Sequence, residues 1–166
     1  TRVLAFLNIV GEGMRGGTYE QNINDMDPQK TAEVAKMYPN DVVGVKLAHF
    51  NGHNWTPADR AIEAGKLANI PIMVDFGSAA PALSIEELFM KHFRPGDIYT
   101  HAYGGGAGPN GREAIVDLKT HTLKPFVPVA QKRGVIFDVG WGGTSFAFEQ
   151  AVPAAKAGFF PNTISS

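Results

Sequence analysis

The feature of this chain that most constrains its fold is a regular alternation of short apolar runs with helix-like segments. Six apolar runs of strand length divide the 166 residues, and most of the intervening segments carry helix signals. The runs are residues 3–10, 42–49, 70–76, 97–103, 135–139 and 159–164. Strand, helix and strand repeated in this order predict an α/β protein, with parallel strands joined by right-handed crossovers.

Local signals place helices between these runs. Asp27 precedes Pro28 and Thr56 precedes Pro57, and a polar cap before proline is typical of a helix start. Residues 84–87 have the Ser-x-x-Glu spacing of a capping box. Further helices are expected over residues 123–133 and 146–156.

Two α/β architectures alternate in this way, the closed (β/α)8 barrel and the open doubly wound sheet. A full barrel takes about 250 residues, so six strands in 166 residues correspond to three quarters of its strands. Gly11, Gly13 and Gly16 have the spacing of a dinucleotide-binding turn, but residues 17–20 that follow are not an apolar helix. The sequence therefore favours a single incomplete TIM-barrel domain over residues 1–166.

Composition restricts the partners of the chain. Its formal net charge is −1, so no basic excess attracts nucleic acid or an anionic membrane. It has no cysteine, so any metal is held by His, carboxylate or a modified side chain. No apolar run approaches the ~20 residues of a membrane span, and no signal-like segment opens the chain. We therefore expect a soluble cytoplasmic protein that binds a small-molecule substrate.

Both ends of the chain lie close to strand-like apolar sequence, at residues 3–10 and 159–164. Domains usually end in polar, exposed segments. We therefore expect the chain to be a piece of a longer barrel and to be inactive by itself. Unpaired strand edges associate with other chains, so we also expect poor solubility or a homo-oligomer.

Lys46 lies near the end of the second apolar run. Val43, Val45 and Leu47 share one face of that run, which suits contact with helices. Lys46 then lies on the other face and points into the barrel, although lysine is almost never fully buried without a partner. Three interpretations stay open: a salt-bridged or snorkelling lysine, a Schiff-base lysine, and a lysine carboxylated by carbon dioxide into a metal-bridging anion.

Other polar residues stand at or near the ends of later runs. Asp75, His101 and Asp138 lie near the ends of the third, fourth and fifth apolar runs. Active sites of barrel enzymes lie at the carboxyl ends of the strands. A lone Asp or His at such a position is more often a structural hydrogen-bonding group. Together with Lys46, the set of four predicts ligands for a divalent metal or an acid/base set.

Two loops next to these strands supply candidate substrate contacts. Tyr103 shares a strand face with His101, and the glycine-rich residues 104–111 lack the Lys-Ser/Thr of a phosphate loop. Residues 141–145 suit either a tight turn or a loop whose backbone N–H groups bind a substrate anion. The candidate substrate-binding residues are Tyr103, Trp141, Gly142 and Gly143.

Four segments resemble the amidohydrolase/deacetylase metallohydrolases, the dihydroorotase-like members of the amidohydrolase superfamily. They match in order and spacing over nearly the whole chain, at residues 43–46, 71–77, 96–101 and 137–146. The resemblance implies strands 3 to 8 of the barrel, with strands 1 and 2 and the end of strand 8 outside the chain. It also implies hydrolysis of an amide, cyclic amide or ester bond of a small acylated substrate through a metal-activated water.

The resemblance further implies two zinc-type ions at the barrel mouth. Lys46 matches the carboxylated lysine that bridges them, and His101 matches the ligand on strand 6. Asp75 stands where the family has a strand 5 His, so its role as a metal ligand departs from the pattern. The H-x-H pair of strand 1 would precede the chain, and the general-base Asp of strand 8 would follow Ser166. Trp141 lies where related deacetylases often carry His.

Two other functions stay open. In a Schiff-base aldolase barrel, Lys46 would attack a carbonyl and Asp75 or Asp138 would move protons. In a non-catalytic barrel module, Asp75 and Trp141 would mark a lost site. Borohydride trapping on Lys46 without metal dependence distinguishes the first, and absence of metal with no ordered ligand in the pocket distinguishes the second.

Overall fold

The structure is a computed structural model that describes residues 2–76, 79–105, 112–142 and 145–165. The chain divides into two compact units, unit 1 (Thr1–Ser78) and unit 2 (Ala79–Ser166). None of the helices in the described part of the chain combines the length and apolar character that a membrane crossing requires.

Unit 1 alternates strands and helices as the sequence predicts. Its strands are β1 (Ala5–Asn8), β2 (Val42–Ala48) and β3 (Ile72–Asp75), and its helices are α1 (Pro28–Met37) and α2 (Thr56–Ala68). The strands are parallel, with β2 between β1 and β3. Two short 3-10 turns, Tyr19–Gln21 and Ile23–Asp25, precede α1.

The two helix starts of unit 1 differ in how well the sequence predicts them. Asp27 caps α1 as expected, because its side chain accepts the N–H groups of Gln29 and Lys30. The expectation that Thr56 caps α2 is wrong, since Thr56 is the first helical residue. Its N–H donates to the Asn54 side chain over 3.1 Å, so the polar group that satisfies this helix end lies two residues upstream.

The two faces of the unit 1 sheet have different roles. Val45, Leu47, Ile72 and Val74 are buried on the face that packs against the helices. Lys46 lies on the opposite face, as the period-two alternation predicts. Its register partners there are Asn8 on β1 and Met73 on β3, and Asp75 pairs with Ala48 on the same face. This face carries the polar side chains of the candidate site.

Unit 2 contains shorter elements. The parallel strands β4 (Ile98–Tyr99) and β7 (Ile136–Phe137) pair with each other, and β5 (Val116–Asp117) and β6 (Thr122–Leu123) form an antiparallel hairpin. The helices are α3 (Ile85–Glu87), which continues as one turn of π-helix (Leu88–His92), α4 (Phe126–Lys132) and α5 (Phe148–Lys156). Ser84 caps α3, since its hydroxyl accepts the N–H of Glu87.

Two expectations about unit 2 are wrong. The helix expected from residue 123 begins at Phe126, because residues 122–123 pair in the hairpin that the sequence does not reveal. Residues 159–164 form no strand and contribute one isolated bridge, between Asp138 and Thr163. There the side-chain oxygen of Asn162 accepts the N–H of Phe137 over 2.9 Å. A side chain therefore replaces a backbone carbonyl as the acceptor of this strand N–H.

An aromatic core fixes the ends of β4 and β7. Phe89 packs edge-on against Tyr99 and Phe137, with ring centroids 4.8 and 5.2 Å apart. Phe159 packs perpendicular to Phe137 at 5.2 Å. All four side chains are buried, so the residues that follow each strand start from a fixed position.

Candidate metal and substrate site

Lys46 is half-buried on the helix-free face of the unit 1 sheet. Its Nζ lies 3.4 Å from the Sδ of Met73, a weak acceptor. On the other side its register partner Asn8 accepts the N–H of Val10 through Oδ1 over 2.9 Å. The Nδ2 of Asn8 is buried and has no hydrogen-bond partner. This face therefore holds a buried amide donor that lacks an acceptor, next to a lysine.

Asp75 ends β3 on the same face and is 3% exposed. Its Oδ2 lies 3.3 Å from the Nε2 of His49, the residue that directly follows β2. The other ring nitrogen of His49, Nδ1, lies 2.9 Å from the Oε2 of Glu20. The structure thus joins the predicted ligand to two residues that the sequence analysis assigned no role. The position of His49 at a strand end was a usable signal, whereas Glu20 carried none.

His101 follows β4 in unit 2, and the carbonyl of Gly140 orients its ring. The Nδ1 of His101 and the oxygen of Gly140 are in hydrogen-bond contact. A carbonyl oxygen only accepts, so Nδ1 carries the proton and the ring lone pair lies on Nε2. Histidine ligands of metals are usually held in this way by a hydrogen bond to the other ring nitrogen.

Only glycine fits at position 140. Gly140 has a positive φ of 55°, and a Cβ there would lie 2.4 Å from Thr100 Oγ1 and 2.7 Å from His101 Nδ1. A side chain would therefore strain the backbone and displace the imidazole. Gly140, like Glu20 and His49, is a residue of the site to which the sequence motifs assigned no role.

Asp138 has a different environment from the other three members of the predicted set. It is 2% exposed, and its carboxylate accepts hydrogen bonds from three hydroxyl groups at 2.7 Å each. Oδ2 accepts from Thr100 and Ser165, and Oδ1 accepts from Thr163. Because both oxygens are used, Asp138 connects the ends of β4 and β7 with residues 163–165 as a structural carboxylate.

Two of the predicted substrate-binding side chains form an aromatic cluster with Phe146. The ring centroid of Tyr103 is 5.7 Å from that of Phe146, and Trp141 packs against the same ring at 5.0 Å with the two planes tilted by 46°. Tyr103 is buried, and burial raises the pKa of its hydroxyl. Trp141 is 56% exposed, so it offers an aromatic surface to solvent.

The described residues of the loop after β7 form backbone hydrogen bonds within unit 2. The N–H of Ser145 donates to the carbonyl of Gly142, and the N–H of Trp141 donates to Ser165. Both N–H groups are used inside unit 2, so neither is a donor for a substrate anion. Gly143 lies outside the described residues. Of the two earlier alternatives for this loop, its described part fits the tight turn.

The glycine-rich loop after β4 is anchored where it begins. Gln150 of α5 is fully buried, and its Nε2 donates to the carbonyls of Gly104 and Gly105 over 2.5 and 2.9 Å. Its Oε1 accepts the N–H of Ile115. Gln150 is therefore a fourth residue, after Glu20, His49 and Gly140, that local sequence signals did not reveal.

The donor set fits a divalent metal by its chemistry. Carboxylate oxygen, imidazole nitrogen and the oxygens of a lysine carbamate are ligands that zinc accepts. Lys46 and Asp75 share one face of the unit 1 sheet. In unit 2, Nε2 is the nitrogen through which His101 could bind a metal, because Nδ1 is bonded to Gly140. Within the described residues, no three His, Cys, Asp or Glu side chains are grouped around one position. The assignment of Lys46, Asp75 and His101 as ligands stays a prediction.

Comparison with curated proteins finds relatives along the full chain. A deacetylase from Brucella anthropi is 29% identical over 172 residues, covering 99% of this chain and 40% of its own length. Deacetylases from Enterococcus faecalis and Agrobacterium fabrum are 28% and 29% identical and are covered over 44% and 40% of their lengths. The chain thus spans less than half the length of the curated relatives that it matches. No protein-family model matches it.

Solved structures show the same relationship. An adenine deaminase superposes with a TM-score of 0.84 at 27% identity, over 99% of this chain and 44% of the deaminase. A dihydroorotase superposes with a TM-score of 0.78 at 26% identity, over 99% of this chain and 45% of the dihydroorotase. These similarities confirm the resemblance carried by the sequence motifs: the chain is similar in sequence and fold to part of the (β/α)8 barrel of amidohydrolase-superfamily enzymes.

Proposed function

We propose that the protein is a metal-dependent hydrolase that cleaves an amide, cyclic amide or ester bond of a small acylated substrate. The names deacetylase, adenine deaminase and dihydroorotase, carried by proteins similar to this chain, support hydrolysis of a C–N bond. The chain spans less than half of each, so the activity is proposed for the protein in its complete natural length.

The observation that carries this proposal is the environment of Lys46. Its Nζ contacts a thioether, and its register partner Asn8 holds a buried amide donor without an acceptor. Leaving such a donor unpaired costs about 1–3 kcal/mol. A carboxylated lysine would remove this cost, because it places acceptor oxygens on the residue next to Asn8.

Carboxylation of Lys46 requires no further reactant than carbon dioxide. The neutral Nζ amine forms an N–C bond to carbon dioxide and loses one proton, which yields a carbamate with a single negative charge. The neutral amine is the form that reacts, because its nitrogen lone pair attacks the carbon of carbon dioxide. One anion with two oxygens is suited to join two cations without excess charge.

The resemblance assigns the carbamate of Lys46, the carboxylate of Asp75 and the Nε2 of His101 to two zinc-type ions. When bound, such ions activate a water for attack and polarise the scissile carbonyl. Other residues of this chain would orient these ligands: the carbonyl of Gly140 fixes the His101 ring, and His49 contacts Asp75. We propose that Trp141 and Tyr103 contact the substrate, with Trp141 supplying the exposed aromatic surface.

The test is hydrolysis of N-acetylated amino acids and cyclic amides by the full-length protein, before and after treatment with a chelator. We expect chelation to abolish the activity and zinc to restore it. We expect Lys46→Ala to lower the activity by about a hundred-fold or more, since it removes a ligand. Lys30→Ala, which changes an exposed lysine of α1, is the matched control and keeps the activity.

Two outcomes would contradict the proposal. Equal activity of the Lys46 and Lys30 variants would remove Lys46 from the chemistry. Borohydride trapping of a carbonyl substrate on Lys46, with no effect of the chelator, would establish the Schiff-base aldolase instead.

A further inference from the structure

Glu20 and His49 have no place in the family pattern, yet they form a continuous chain of side-chain contacts with Asp75. We propose that His49 is a positioning residue that holds the carboxylate of Asp75 for metal binding, and that Glu20 holds His49. This inference rests on the proposed function, because it takes Asp75 as a metal ligand.

His49 is held at four points. Its N–H donates to the carbonyl of Asp75 over 3.0 Å, and its own carbonyl accepts from the side chain of Gln21 over 2.8 Å. Its ring nitrogens face Glu20 at 2.9 Å and Asp75 at 3.3 Å. The residue has a φ of 55°, a conformation that costs non-glycine residues about 1–2 kcal/mol. The surrounding contacts therefore hold His49 in one strained position.

Glu20 is the fixed end of this chain of contacts. Its side chain is 1% exposed, and both of its oxygens are used. Oε1 accepts the N–H of Gly16 over 3.1 Å, and Oε2 faces His49. A buried carboxylate is stable only where such partners replace water. If Glu20 moved away from His49, its Oε2 would lose this partner in a buried position.

The neighbouring Gln21 strengthens the same connection. Its Nε2 donates to His49, and its Oε1 accepts the N–H of Asn51 over 2.7 Å. The 3-10 turn Tyr19–Gln21 is thus bound to the segment after β2 by two adjacent side chains. The result is a contact path from Gly16 through Glu20 and His49 to Asp75, across the carboxyl ends of three strands.

The path has a direct consequence for Asp75. An imidazole carries at least one N–H, and carboxylates on both sides orient its ring. The contact between Oδ2 and the ring would hold the carboxylate in one orientation when a cation binds Asp75. The family has a histidine ligand where this chain has Asp75. Here the imidazole belongs to His49, which contacts the carboxylate of Asp75. Outer partners of this kind change metal affinity by about 10–100-fold.

Two substitutions at position 49 separate positioning from simple structural support. His49→Gln can place an amide donor where Nε2 faces Asp75, and His49→Asn can place one only where Nδ1 faces Glu20. Asparagine also tolerates the positive φ. His53→Asn, in the same exposed loop, is the control.

The experiment measures zinc binding to the full-length protein by competition with a chromophoric chelator. We expect His49→Asn to weaken one of two zinc sites about 10-fold or more, and His49→Gln to restore most of that loss. His53→Asn should bind zinc as the unchanged protein does. A second measurement follows the imidazole nitrogens of the unchanged protein by NMR during addition of zinc, where the His49 signals should shift and the His53 signals should not.

The outcomes distinguish this inference from the proposed function. Zinc binding by the unchanged protein with no difference between His49→Asn and His53→Asn would overturn the positioning role and leave the hydrolase proposal standing. Equal losses in both His49 variants, in parallel with lower unfolding midpoints, would assign His49 a structural role and also overturn it. A protein that binds no zinc would overturn both.

Discussion

Asp75 in unit 1 and Asp138 in unit 2 are the same residue type in similar positions, and they differ in their partners. Both are almost fully buried at or near the end of a parallel strand. Asp75 faces one ring nitrogen of His49 at 3.3 Å, whereas Asp138 accepts three hydroxyl hydrogen bonds at 2.7 Å. We therefore expect the donors around each carboxylate, more than its place on a strand, to decide its role.

Hydroxyl groups and an imidazole satisfy a carboxylate in different ways. Three hydroxyls surround both oxygens of Asp138, so a cation would have to displace at least one of them. His49 is about half exposed, and its ring contacts Oδ2 of the Asp75 carboxylate. We therefore expect a cation to reach Asp75 more readily than Asp138.

The largest expected effect tests the comparison between Asp75 and Asp138 directly. We expect Asp138→Ala to lower the free energy of unfolding by about 3 kcal/mol or more, because a buried hydroxyl and two neighbours lose their acceptor. Asp75→Ala should cost about 1 kcal/mol through its half-exposed partner. Urea denaturation measures both, with Asp41→Ala as an exposed control. A larger loss for Asp75→Ala would reverse the two roles.

Substitutions at Gly140 and Gly142 test how tightly the residues around His101 in unit 2 are packed. We expect Gly140→Ala to cost about 2 kcal/mol and to weaken zinc binding, since the new methyl group meets Thr100 and His101. Gly142→Ala, where a Cβ meets nothing within 4 Å, should change stability by less than about 0.5 kcal/mol. Thermal unfolding and zinc competition provide the two measurements. Equal behaviour of the two variants would contradict the role of Gly140.

The smallest effect concerns the pH dependence of unit 2. Burial raises the pKa of Tyr103 above its ordinary value of 10.0, so the folded state favours the neutral phenol. Its contribution to stability is therefore full below about pH 10 and is lost as pH rises through the raised pKa. We expect Tyr103→Phe to reduce the loss of stability between about pH 9 and pH 11, and the exposed Tyr19→Phe to leave it unchanged. Identical pH profiles would contradict this.

Much of the fold follows from local sequence signals, and its exceptions have identifiable causes. The cap at Asp27 and the alternation around Lys46 depend on neighbouring residues, so they are visible in the sequence. The β5–β6 hairpin has two-residue strands, which are too short to show a period. Residues 159–164 are apolar enough for a strand, but the side chain of Asn162 replaces a ladder contact.

The candidate site divides in the same way. Lys46 and His101 could be predicted because strand ends and the family motifs point to them. Glu20 and His49 are 29 residues apart, and only the folded chain shows that they meet. The role of Gly140 depends on a positive φ and on the carbonyl that faces His101, and neither has a local sequence signature.

The central claim is that Lys46, as a carbamate, holds metal in this protein. Metal analysis of the full-length protein and of its Lys46→Ala variant tests it most directly. We predict about two zinc-type ions per chain, falling sharply in the variant. Absence of metal from the unchanged protein, or an equal metal content in both, would contradict the claim.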